Sequence, residues 1–302
     1  VTQPALITLA LLGFAANSLL TRGALGGGLL DPMTFMVVRL VSGTIVLALL
    51  VRFRPTGRRG RGSWLMAAAL AGYAVAFTLA YTRIAAGAGA LLLFAAVHLT
   101  MVTAGLARGE RPSTRGLIGT ALAVVGLVVL TMPGLSAPDP AGALLMLAAG
   151  ACWGAYSLAG RRSTDPLSTT ADNFLRATAM SLPVAWLALE TPVITTTGLT
   201  LAVVSGGLAS GLAYAVWYAA LPRLAAWRAA LLQLAVPVLT AFAAVVILSE
   251  PMTSRLWLSL ALVLGGIGMS VTETARPQPP APARSQSRHT GAARHGDAGD
   301  PG

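Results

Sequence analysis

One stretch of this chain occurs twice, and no other feature limits its fold as strongly. Residues 85–130 align with residues 225–270 at a constant offset of 140 without a gap. In that register Leu91-Leu92 meets Leu231-Leu232, Leu99-Thr100 meets Leu239-Thr240, Glu110 meets Glu250, Arg115 meets Arg255 and Gly126 meets Gly266. Each copy is an apolar run, a short turn with one Glu and one Arg, and a second apolar run. Self-similarity on this scale means two related structural units. Weaker likeness extends upstream. Ala16, Ser18, Leu19 and Arg22 resemble Ala155, Ser157, Leu158 and Arg161, and Asp31-Pro32 and Asp165-Pro166 each open an apolar run. Each half then holds five apolar segments. Five is odd, so in a membrane the second half must enter with the opposite orientation, as in the inverted-topology repeats of secondary transporters.

That the setting is a membrane follows from composition. The 302 residues are 55% hydrophobic and 10% charged, with a mean hydropathy of +0.73. The apolar residues fall in blocks of ~20, the helical length that crosses a hydrocarbon core of ~30 Å. The formal charge of +11 does not indicate nucleic acid, because the arginines lie between apolar blocks and on the tail. All 21 basic residues are Arg, so no P-loop lysine and no Schiff-base lysine is present. The single cysteine, Cys152, allows no intrachain disulfide, and neither metal spacing nor a cofactor motif is found. No basic n-region precedes the first apolar stretch, so residues 5–22 read as a retained span rather than a cleaved leader.

The expected fold class is all-α integral membrane, with ten transmembrane helices as two inverted five-helix repeats, residues 1–135 and 136–274. The helices are expected near 5–22, 32–51, 63–83, 86–106, 115–132, 141–160, 168–189, 198–221, 225–248 (broken by Pro237) and 255–271. Residues 275–302, rich in Pro, Gln, Ser, Arg, Gly and Asp, form a disordered cytoplasmic tail in which His289 and His295 need no role. Twelve arginines lie in loops on the side of the N-terminus, four on the tail and three on the opposite side. The positive-inside rule then puts both termini in the cytoplasm of a multi-pass protein of the cell (inner) membrane.

Ten spans in two copies, each fourth span ending in a Glu turn, resemble the EamA branch of the drug/metabolite transporter superfamily. The stretches that carry the resemblance are Gly109-Glu110-Arg111-Pro112, Ala235-Val236-Pro237-Val238, Leu248-Ser249-Glu250-Pro251, Arg39 in the second span, and Gly150-Ala151-Cys152-Trp153-Gly154-Ala155-Tyr156 in the sixth. The likeness covers about residues 5–272 and implies an exporter of small metabolites or drugs with a central cavity between the halves. The first copy departs from the pattern, with Val97-His98 where the family often has the proline that the second copy keeps at Pro237.

Several residues carry chemistry. Arg39 and Arg176 lie inside spans, where a charge must face a cavity or a partner. Each reads as a gate or anion contact, or as a snorkelling or paired structural group; Arg176 has Asp172 four residues before it. His98, the one His within a span, is a candidate for a coupling proton or a neutral hydrogen-bonding group. Asp172 is the second proton-coupling candidate. Pro237 frees the carbonyl of Gln233, either as a polar cavity contact or as a simple kink. Glu110 with Arg115 and Glu250 with Arg255 have identical spacing and read as structural loop locks. Asn17, Tyr73, Trp153, Tyr156, Asn173, Tyr214 and Trp217 complete the candidate cavity, the aromatics reading equally as interfacial anchors. Gly150-xxx-Gly154 and Gly207-xxx-Gly211 read as close helix packing.

The resulting expectation is a secondary transporter, not an enzyme, exporting a small organic solute (amino acid-like or a drug) by proton antiport. Its partners are the solute and the lipid bilayer, with no nucleic acid; a homodimer stays open. Two rivals stand beside it. One is an intramembrane hydrolase using Ser210 with His98, which requires the two side chains within hydrogen-bond reach. The other is a membrane scaffold, which has no use for buried charge.

Overall fold

The computed structural model describes residues 2–54, 60–109, 113–134, 136–160, 163–187, 193–220 and 232–273. Its helices are α1 (Gln3–Gly26), α2 (Pro32–Arg52), α3 (Trp64–Tyr81), α4 (Ala86–Ala107), α5 (Thr114–Thr131), α6 (Pro140–Gly160), α7 (Pro166–Leu187), α8 (Thr196–Gly206), a π turn (Gly207–Leu212), α9 (Ala213–Ala220), α10 (Ala235–Leu248) and α11 (Ser254–Glu273). The expected tail, Glu110 and residues 221–231 lie outside the described residues.

The helices start where the sequence supplies caps. Asp31 accepts the backbone N–H of Thr34 at 2.8 Å, with Pro32 at the first helical position. Asp165 repeats the device ahead of Pro166, accepting Ser168 Oγ at 2.6 Å and Ser168 N at 3.4 Å. A carboxylate at the cap with Pro at the first position satisfies an orphan donor and presets φ. At α3 and α5 the caps are hydroxyls, Ser63 accepting the Met66 N–H and Ser113 the Gly116 N–H. Burial raises the Asp165 pKa, but the bonds from Ser168 and the charge of Arg54, 2.8 Å away, outweigh it and hold the carboxyl below its ordinary range.

Among the described residues, seven helices are long and apolar enough to cross a membrane: α1 to α6 and the rod 196–217 formed by α8, the π turn and α9. Ten were expected. The polar first half of α7, with Thr169, Thr170, Asp172, Asn173 and Arg176, keeps it outside that group. The shorter apolar helices are α10, 14 residues long, and the Ser254–Ser270 part of α11. Residues such as Leu9, Ile45, Leu65, Ile118, Leu144 and Val246 point outward and are exposed. An apolar exterior of this extent suits lipid and would be a liability in water.

Helix α10 begins at Ala235, after a turn at Leu234, rather than running unbroken through Pro237. Proline has no N–H to give the carbonyl four residues back, and its ring presses on that carbonyl. The interruption accordingly falls beside Gln233.

Glycine sets the closest helix contacts. A Cβ on Gly119 would sit 2.5 Å from the Gly266 carbonyl oxygen, and one on Gly266 would sit 2.4 Å from the Gly119 carbonyl oxygen. Gly126 faces Val263, and Ser270 Oγ donates to the Gly116 carbonyl at 3.0 Å. Helices α5 and α11, which correspond in the two copies, therefore pack antiparallel. The same holds for α2 and α7. Arg54 bonds Asp165, Thr44 Oγ1 lies 3.1 Å from Thr178 Oγ1, and Gly43 abuts Phe174.

The polar group on α7 fastens α3. Asp172 Oδ2 accepts Gly62 N at 2.8 Å and Asn173 Oδ1 accepts Ser63 N at 3.0 Å, so two donors ahead of α3 are satisfied from another helix. Arg176 holds Asp172 through two bonds, at 3.2 and 2.9 Å, and lies over the Trp64 ring.

Candidate solute site

A cavity lies where α1, α3, α4, α6, α9 and the segment before α10 converge. Helix α1 contributes Phe14, Asn17 and Ser18, which share one face at spacings of three and four. Helix α3 contributes Tyr73 and Phe77, and α4 contributes Leu93 and Phe94. From the second copy come Trp153, Ala209, Tyr214 and Gln233. The cavity volume is about 30 Å³, room for roughly one or two waters.

The walls are aromatic. Trp153 lies 5.2 Å from Tyr73, 5.1 Å from Tyr214 and 5.4 Å from Tyr156 between ring centres. Phe14 closes the ring of contacts against Tyr214 at 5.6 Å. Such pairs hold one another in place by offset and edge contacts.

The polar part of the cavity is centred on Asn17. Its Nδ2 donates to the Tyr73 hydroxyl at 3.3 Å. Its Oδ1 accepts Ser205 Oγ at 2.8 Å and Ser210 Oγ at 3.5 Å. Positions five apart fall on different faces of an α-helix, but the wider π turn at Gly207–Leu212 brings both hydroxyls to one amide. The Tyr73 hydroxyl also accepts Arg39 Nη2 at 3.1 Å. Arg39 is 3% exposed, and its guanidinium lies 4.8 Å from the Phe77 ring centre and 5.3 Å from that of Tyr73. Its Nη1 is buried without a hydrogen-bond partner among the described residues.

Of the residues singled out from sequence, Asn17, Tyr73, Trp153, Tyr214 and Gln233 line this cavity, and Arg39 stands behind Tyr73 and Phe77. Tyr156 packs behind Trp153. Trp217 belongs to a neighbouring apolar cluster with Ala10, Leu11, Ala15 and Val236. Pro237 is buried in α10, one turn beyond Gln233. Asp172, Asn173 and Arg176 do not reach the cavity, because they are committed to the end of α3. His98 lies one turn past Phe94 on α4 and does not line the cavity; its Nε2 is buried and unpartnered among the described residues.

The loop locks differ from expectation. Glu250 binds Arg22 Nε at 3.2 Å and Ala86 N at 2.8 Å, not Arg255, which donates to the Met132 carbonyl. Its acceptors serve the N-terminus of α4, where a carboxylate is favourable. Arg115 is exposed. The nucleophile–base pair of a hydrolase is not formed, since Ser210 bonds Asn17 and His98 Nε2 bonds nothing described. Phe14, Ser18, Phe77, Leu93, Phe94 and Ala209 were not anticipated; the first two share the Asn17 face of α1 and were available from that spacing.

The EamA-like transporter family matches this sequence twice, over residues 4–132 and 140–272. The chain belongs to the EamA-like transporter family. An uncharacterized protein of Pseudomonas aeruginosa is 48% identical over 87% of this chain and 92% of its own length. A probable amino-acid metabolite efflux pump of Salmonella typhimurium is 28% identical over 63% of this chain and 71% of its own length. One of the same description in Escherichia coli is 28% identical over 62% of this chain and 67% of its own. A protein crystal structure superposes with a TM-score of 0.65 over 91% of this chain and 99% of its own, at 21% identity, and so shares the fold. This EamA-family chain is thus a multi-pass membrane transporter.

Proposed function

We propose that this EamA-family protein is a secondary active transporter that exports a small amino acid-like organic solute or drug across the cell membrane by proton antiport. The observation that carries the reading is a cavity built by both copies, aromatic on its walls and polar around Asn17. Two relatives described as probable amino-acid metabolite efflux pumps, in Salmonella typhimurium and Escherichia coli, support the solute class. The fold is taken as ten spans in two inverted repeats, 1–135 and 136–274. The antiparallel packing of α2 on α7 and of α5 on α11 supports it, because inversion makes corresponding helices run oppositely. A space of about 30 Å³ is too small for a metabolite, so solute passage requires the halves to move apart at one face or the other.

Both termini are placed in the cytoplasm of the inner membrane. A reporter fused at Gly302 or in the Arg58 loop should be cytoplasmic, and one at Asp139 external. A cytoplasmic Asp139 would overturn the inverted arrangement.

The coupling proton is assigned to His98, the one histidine within a span, whose buried Nε2 has no described partner. In proteoliposomes, His98→Gln should abolish uphill solute movement driven by a pH gradient while leaving solute–solute exchange intact. Uphill movement with an unchanged pH dependence would transfer the proton to another group.

A further inference from the structure

Five carboxylates have described side chains, and each is committed. Asp31 caps α2, and Asp139 caps α6 while facing Arg83. Asp165 holds Arg54, Asp172 holds Arg176, and Glu250 holds Arg22. Arg39 therefore has no counter-ion among the described residues, although it is the most deeply buried of the described arginines. A buried charge needs a partner with which to share its field, and a buried donor needs an acceptor. Stacking on Phe77 and Tyr73 supplies part of this. It leaves Nη1 unserved.

The hydrogen bonds around Tyr73 run in one direction. Its oxygen accepts from Arg39 Nη2 and from Asn17 Nδ2, which occupies both lone pairs. Its own O–H has no acceptor among the described residues. The Asn17 carbonyl is already taken by Ser205 and Ser210. Around Tyr73 and Arg39 two donors thus lack described acceptors, beside one uncompensated positive charge, and the acceptors elsewhere on the cavity wall, on Ser18 and Gln233, are neutral.

We propose that, when the halves part, this cavity opens onto Arg39 and takes a monocarboxylate, one oxygen accepting the Tyr73 hydroxyl and the other the free Nη1 of Arg39, with an apolar group against Trp153 and Tyr214. This rests on the export reading and narrows it. A carboxylate is acceptor-only and carries one negative charge, matching both deficits. A phosphate dianion would leave one negative charge buried without a partner. The ammonium of a free amino acid would enter a space where no described carboxylate faces it. The solute is thus an acid whose amino group is absent or neutralised.

The test uses the full-length protein in lipid nanodiscs with radiolabelled phenylacetate as the probe. Phenylacetate should bind, and phenylacetamide, L-phenylalanine and phenyl phosphate should each compete at least about tenfold more weakly. Tyr73→Phe keeps the ring and removes only the hydroxyl; Arg39→Gln removes the charge. Each should weaken phenylacetate at least about tenfold, the effect of one charge-assisted hydrogen bond, and weaken phenylacetamide less, because its neutral carbonyl accepts only an ordinary hydrogen bond. Absence of phenylacetate binding, equal binding of acid and amide, or unaltered affinity in Tyr73→Phe would each overturn the proposal, even if Arg39→Gln fails to fold. Solute profiles of the medium from a deletion strain and an overexpressing strain separate this from the export reading. Differences that include no carboxylic acid would sink the monocarboxylate and leave export standing. No difference at all would sink export itself.

Discussion

Gly206→Ala should nearly eliminate folded protein, a larger effect than any other single methyl group would have in the described residues. A Cβ at Gly206 would lie 2.0 Å from the Arg39 carbonyl oxygen and 2.1 Å from Ser42 Oγ. The first obstacle is backbone, so no rotamer change relieves it, and α8 must move off α2. Overpacking of a core by methylene groups typically costs 1–3 kcal/mol, and a rigid backbone obstacle puts this substitution at about 3 kcal/mol or above. The displaced carbonyl belongs to Arg39, so the guanidinium and its bond to Tyr73 move with it. Monodisperse protein recovered by size-exclusion chromatography in detergent measures the loss. Gly265→Ala and Gly268→Ala are the controls, because a Cβ at either position meets nothing within 4 Å. In a helix interior they should be neutral or stabilise by about 0.5–1 kcal/mol. Wild-type yield from Gly206→Ala would mean that the α2–α8 contact is looser than described.

Seven of the expected spans and the starts of α2 and α7 were legible because apolar blocks and Asp-Pro caps are local signals. For α2 to α7 the observed ends differ by few residues from those expected, as at α3, expected near 63–83 and found at Trp64–Tyr81, whereas α10, expected from 225, begins at Ala235. The cavity was legible where chemistry stood out against its surroundings. Asn17 and Gln233 are amides in apolar runs, and Trp153 and Tyr214 are large rings among small residues. What sequence could not supply is which helix a face meets. Asp172, Asn173 and Arg176 look as suited to a cavity as Arg39 does, and only their placement beside Gly62 and Ser63 assigns them to capping. The π turn has no residue signature, yet it brings Ser205 and Ser210 together on Asn17. Glycine spacing pointed to Gly207 and Gly211, whereas the tightest approach is at Gly206, one position away. Glu250 was matched to Arg255 because the repeat spaces them alike; its actual partner, Arg22, is 228 residues distant in sequence.

That partner choice makes the second large effect predictable. Glu250→Ala should destabilise the protein by about 2–3 kcal/mol, the lower end of what breaking a buried ion pair costs, since both side chains retain some exposure. Three elements meet at this carboxylate. Oε2 accepts the Ala86 N–H that opens α4, Oε1 accepts Arg22 Nε at the end of α1, and Arg22 Nη1 in turn donates to the Tyr81 carbonyl. Ser249, which precedes it, is held in the left-handed region at φ 54°, so the turn leaving α10 is shaped to present the side chain. Removing it strands a guanidinium and a helix-initiating N–H together. Glu250→Gln keeps an acceptor for Ala86 N and loses only the charge, so its loss should be intermediate. Arg255→Ala should change little by comparison, because Arg255 donates to an exposed carbonyl and not to Glu250. Thermal melting in one detergent should rank wild type above Glu250→Gln and Glu250→Ala lowest. Combining Glu250→Ala with Arg22→Ala should cost clearly less than the sum of the two single losses, the mark of a direct pair. Additive losses, or an Arg255→Ala loss equal to that of Glu250→Ala, would return the glutamate to its own loop.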